Sequence, residues 1–105
     1  TTGQIGPLTS SRRFKTDIKD FEPGYSDNIA HLRPVSFRFK ENNVPNIGLI
    51  AEEVVEYYPE IVPLDAEGMP YTVNYELLSV ILLDAVKKLE ERVKQQDELI
   101  LQQLI

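Results

Sequence analysis

Ser10 and Lys15 stand five residues apart in the run Ser10-Ser11-Arg12-Arg13-Phe14-Lys15-Thr16-Asp17-Ile18. A serine hydroxyl is a poor nucleophile until a base takes its proton. A lysine amine serves as that base only where burial or nearby positive charge holds its pKa down. Arg12 and Arg13 lie between the two and supply positive charge. Taken alone, such a pair more often marks a solvated basic strand than a site. The elements around it decide how it is read.

The chain has 105 residues, enough for one small domain. If its last 30 residues form an extended helix, about 70 remain for a head, a core so small that it often needs oligomerisation. There is no cysteine, which excludes disulfides and thiolate metal ligands, and a single histidine, His31, excludes a histidine-rich metal site. No Gly-rich phosphate loop is present, so no cofactor is expected. The net charge of -6 argues against a nucleic-acid partner. No apolar run approaches membrane-spanning length and the start carries no signal-peptide pattern, so no membrane partner is expected. The first residue is Thr1 rather than Met, which suggests a piece of a longer protein.

Charge is uneven. Arg12, Arg13, Lys15 and Lys19 crowd the first segment, whereas Glu52, Glu53, Glu56 and Glu60 cluster later. These acids read as a solvated helix face, with pairing to the basic segment as the alternative.

Along the chain, residues 1–9 contain Gly3, Gly6 and Pro7 and read as a connector. Residues 12–21 give a mixed signal, a short strand or irregular segment. Glu22-Pro23-Gly24-Tyr25 reads as a turn. Ser26 or Asp27 can cap a short helix that buries Ile29 and Leu32 and stops before Pro34. Strict alternation predicts a half-buried strand over 35–40. A loop or hairpin tip at 41–46 leads to a buried strand over 47–50, where Gly48 suggests close backbone approach. A helix is predicted over 51–58, ended by Pro59. Two further strands are predicted over 61–64 and 71–75.

From Tyr75 onward there is no Gly or Pro. Val86, Val93 and Ile100 fall at heptad position a, and Leu82, Leu89, Gln96 and Gln103 at d. A seam of that length calls for partner helices. Glutamines at d can hydrogen-bond around a threefold axis, which favours a parallel trimer through Leu82, Val86, Leu89, Val93, Gln96 and Ile100. A dimer and a helix folded back on its own head are the alternatives. The fold class expected is α+β: a small mixed head with β-hairpin extensions over 10–75, then a terminal helix over 76–105 forming a trimeric coiled coil.

Five runs, in order, resemble the C-terminal intramolecular chaperone domain of phage tailspikes, tail fibres and neck appendages, the peptidase S74 family. They are Ser10 to Ile18, Leu32-Arg33-Pro34-Val35-Ser36-Phe37, Ile47 to Val54, Tyr58-Pro59-Glu60-Ile61-Val62 and Tyr71 to Leu78. Ser11 stands where the family usually has Asp, and Glu52 where it usually has Gln. The resemblance implies a domain that trimerises, brings three chains of an upstream β-rich stalk or fibre into register, and then cuts itself off. By position it implies Ser10 as nucleophile, Lys15 as general base and Thr9–Ser10 as the scissile bond. The domain would act in the host cytoplasm while a virion appendage is made, and be absent from the mature virion.

Ser11 is the alternative nucleophile. On a strand it would face away from Ser10. Asp17 is read as a structural tie, because a carboxylate on Lys15 would weaken it as a base. Glu53 and His31 are read as a helix-surface acid and a helix-end cap, with help in assembling the site as the lesser possibility. Tyr57, Tyr58, Tyr71 and Tyr75 are read as core and interface aromatics. Two other functions stay open: a trimerisation cap that never cleaves, and the same fold in a self-cleaving membrane-bound transcription factor.

Overall fold

The computed structural model describes residues 9–105. The connector reading of residues 1–8 lies outside the described residues. The elements are a 3-10 turn at Arg12–Phe14, a 3-10 helix at Tyr25–His31, strand β1 at Val35–Arg38, strand β2 at Pro45–Gly48, helix α1 at Ala51–Val54, a 3-10 turn at Pro59–Ile61 and helix α2 at Tyr75–Leu104. The fold is mixed helix and strand, as the pattern predicts.

Residues 12–14 wind into a 3-10 turn rather than a strand. The Ser11 hydroxyl accepts from the Arg13 N–H at 3.4 Å and caps it. The 3-10 helix that follows starts after Gly24, whose φ of 84° is a left-handed conformation that glycine adopts without a side-chain clash. No side chain caps that helix, so the predicted Ser26 or Asp27 cap is a correction. Both residues lie inside the helix, and Ser26 is buried. Ile29 and Leu32 do pack against the core.

β1 and β2 form an antiparallel hairpin with Val35 opposite Gly48 and Arg38 opposite Pro45. The second strand begins two residues before its predicted start, because Phe39 N–H bonds Val44 O at 3.0 Å and closes the tip early. Pro45 donates nothing to the ladder and is tolerated on this exposed edge. Gly48 is the close approach the sequence suggests: a Cβ there would sit 2.7 Å from Tyr75 Oη. That hydroxyl accepts the Leu49 N–H at 3.0 Å and ties the hairpin to the start of α2.

The helix predicted over 51–58 is regular only to Val54 and then turns. Tyr58 still donates its N–H to Val54 O at 2.9 Å, but Pro59 bars the residue before it from helical backbone. The predicted strands over 61–64 and 71–75 do not form. The two segments run side by side, with Tyr71 N–H on Pro63 O at 2.9 Å and Asn74 N–H on Ile61 O at 2.8 Å, but they make a single bridge, Leu64 to Pro70. Pro63 has no N–H to return the bond it accepts from Tyr71, so the ladder does not continue past that pair.

Val54, Tyr58, Ile61, Val62, Val73, Leu78 and Ile81 form the core. Asn74 caps α2 by accepting the Leu77 N–H at 3.1 Å. Thirty residues of α-helix extend about 45 Å. Only the first turns, through Leu78 and Ile81, are buried in the head.

Candidate functional site

Every residue from Thr9 to Gly24 is exposed. Ser10 and Lys15 therefore sit on an open strap. The 3-10 turn between them rises about 2.0 Å per residue instead of the strand's 3.3 Å or so. Over three residues the strap is shorter than a strand by on the order of 4 Å. Among the described residues no hydrogen bond joins Ser10 to Lys15. Ser11 is occupied as the cap. The Arg13 guanidinium lies 4.6 Å from the Phe14 ring centroid and shields one face of that exposed aromatic. Asp17 adopts a left-handed φ of 55°, which Asp tolerates better than most residues, and the strap bends there.

The strap is held at its far end by aromatics. Phe21 packs on Tyr25 at 4.8 Å between centroids, and Tyr25 packs edge-on against Tyr58 at 5.3 Å. The Tyr58 hydroxyl donates to Tyr25 O at 2.7 Å, and the Tyr25 hydroxyl donates to the Glu60 carboxylate. Burial pushes the Tyr25 phenol far above its ordinary value, and the Glu60 carboxylate adds to the shift. Burial also raises Tyr58, followed by the negative charge of Glu60 and Asp27. Sequence patterns did not single out Tyr25 and Glu60 as a pair. They are 35 residues apart, and only the packing of Tyr58 brings them together.

The basic segment pairs with no acid among the described residues, so the alternative of strap-to-acid pairing is corrected. The ion pairs run elsewhere, between Arg33 and Glu53, Lys88 and Asp84, and Lys94 and Glu90. Arg33 grips Glu53 with two bonds, of 3.3 and 2.7 Å. The bond from Arg33 holds the Glu53 carboxyl below its usual range. Glu53 thus fastens α1 to the segment before β1. His31 stacks on Tyr57, with centroids 5.0 Å apart and planes at 10°. Of the other tyrosines, Tyr58 is core, Tyr75 links the hairpin to α2, and Tyr71 is exposed.

The second feature is the outer face of α2. Leu82, Val86, Leu89, Val93 and Ile100 are each 43–58% exposed, and Gln96 is exposed with them. Leu78 and Ile81 occupy the opposite flank, buried in the head. The helix therefore has two apolar stripes, and among the described residues only one is covered.

A sequence model of one family, described as Peptidase_S74, chaperone of endosialidase, matches residues 10–63, about half of the chain. The chain belongs to this family. The match opens at Ser10, the first residue of the strap run, and takes in the aromatic anchor, the hairpin and α1. No curated protein matches the sequence. Membership makes this a chaperone-family domain, peptidase-related by the family's name.

Proposed function

We propose that this chain is an intramolecular chaperone that aligns an upstream β-rich stalk or fibre region of its own polypeptide by trimerising through α2. It is then released by cleavage at Thr9–Ser10. The observation that carries the reading is the uncovered seam of α2, in a domain whose family is one of chaperones. Pairing β segments from three chains carries a large association and loop-closure cost before any contact rewards it. A parallel coil prepays that cost by raising effective concentration and fixing register. Leu82, Val86, Leu89, Val93 and Ile100 fill its layers, and Gln96 bonds its equivalents around the axis. The work is done in the host cytoplasm on a virion appendage, and the released domain is absent from the finished particle.

In the cleavage step the Ser10 hydroxyl attacks the carbonyl carbon of Thr9 while Lys15 accepts its proton. The protonated Lys15 returns that proton to the peptide nitrogen, which leaves as the new α-amine of Ser10, and water hydrolyses the Thr9 ester to regenerate the hydroxyl. The strap of a lone chain is open to water, whereas a lysine base needs dry surroundings. Cleavage therefore follows assembly. The exposure of Ser10 and Lys15 also favours a second reading, a trimer cap that stays attached.

The test is intact-mass measurement on the chain expressed with its natural upstream segment. Wild type should yield a product beginning at Ser10. Ser10→Ala and Lys15→Ala should remain whole. Lys15→Arg should also remain whole, because a guanidinium keeps its proton at any reachable pH. Cutting in Ser10→Ala would overturn the mechanism. An uncut wild-type trimer would leave the cap.

A further inference from the structure

α2 carries more apolar surface than one seam and one head can use. Its heptad frame puts Leu78 at g, Val80 at b, Ile81 at c, Leu82 at d and Leu83 at e. Leu78 and Ile81 are buried in their own head, and Leu82 belongs to the seam. Val80 and Leu83 are left over. They are 50% and 60% exposed, and positions b and e share the flank across the seam from c and g.

The head has a matching leftover. An open, mostly apolar groove runs beside Leu78 and Leu82, walled by Ile29 of the 3-10 helix, by Leu32 just after it, and by Val35 and Ile47 of the hairpin. Ile47 is 78% exposed, so that wall has no cover among the described residues.

In a parallel coil, a g residue faces the e residue five positions further along on the neighbouring helix. Five positions past Leu78 is Leu83. The register that closes the seam therefore delivers Leu83 of a second copy, with Val80 beside it, to the mouth of the groove. We propose that this groove is the seat for Leu83 and Val80 of a second copy. Each head then clamps its neighbour's helix, and the interface continues from the coil onto the hairpin. The proposal rests on the parallel self-association of α2 put forward above.

The sequence has no cysteine, so introduced ones report contacts without background. Chains carrying Ile47→Cys are coexpressed with chains carrying Leu83→Cys, and the purified assembly is oxidised. A disulfide closes only where the two Cα atoms come within about 7 Å. The expected result is a covalent pair whose linking peptides, identified by mass spectrometry, join position 47 to position 83. A trimer by sedimentation without that link overturns the groove and leaves the coil standing. Monomers overturn both. Ile47→Glu gives a second reading. It changes a mostly exposed side chain, so the full chain keeps the wild-type far-ultraviolet circular dichroism. Three buried carboxylates should raise the trimer dissociation constant by about tenfold or more. Unchanged dissociation in a folded trimer overturns the proposal.

Discussion

Replacing Tyr58 by Phe isolates the bond that secures the strap's anchor to the core. Tyr58 is 1% exposed, and its ring is kept in the variant, so apolar burial is unchanged. What is lost is the hydroxyl that donates to Tyr25 O at 2.7 Å. The carbonyl is left without that donor in a half-buried position. The expected cost is about 1–2 kcal/mol. For a folding unit of roughly 60–100 residues, each kcal/mol moves the melting temperature by about 4–8 °C, so a fall on the order of 10 °C is expected. Circular dichroism melts should be run at one chain concentration, because association raises apparent stability. Tyr71→Phe is the control. Tyr71 is 73% exposed, and its hydroxyl makes no hydrogen bond among the described residues. Its loss should shift the melt by less than about 0.5 kcal/mol. Equal shifts in the two variants, or none in Tyr58→Phe, would refute the claim that this bond braces the head.

Val93→Asp should abolish the proposed trimer in sedimentation, by burying an unpaired charge from each chain in one layer, while the head's melt persists. Gly48→Ala places a Cβ 2.7 Å from Tyr75 Oη, so the phenol must swing out and release the Leu49 N–H. A loss of about 1 kcal/mol should appear in denaturant titration, and Gly48→Ala with Tyr75→Phe should be less than additive. The pH profile has a slope at each end. The unfolded chain sheds its phenolic protons above about pH 10 while folded Tyr25 and Tyr58 hold theirs. Stability should therefore fall as pH rises through that range, and less steeply in Tyr25→Phe. At the acid end, the contribution of Glu53 is present above about pH 4.3 and is lost as pH falls through its lowered folded value. Arg33→Gln should remove that loss in urea titrations.

The heptad of α2 was legible because helix periodicity and the absence of Gly and Pro are local properties. So were the hairpin alternation and the close approach at Gly48. The Ser10-to-Ile18 run was legible for a different reason: residue types at fixed spacing carry a family's signature whatever their conformation. What failed was local as well, but turned on backbone donors. Pro63 denies the ladder that the apolar runs at 61–64 and 71–75 suggest, and the Ser11 cap winds the strap into a turn. Tertiary structure alone decided the Tyr25–Glu60, Arg33–Glu53 and His31–Tyr57 contacts, because their partners lie 20 or more residues apart and meet only once Tyr58 and α1 are packed. It also decided which stripe of α2 the head takes. The sequence marks both stripes as apolar. Only the folded head, by burying Leu78 and Ile81, leaves Leu82, Val86 and Leu89 in water, where the hydrophobic effect calls for a partner.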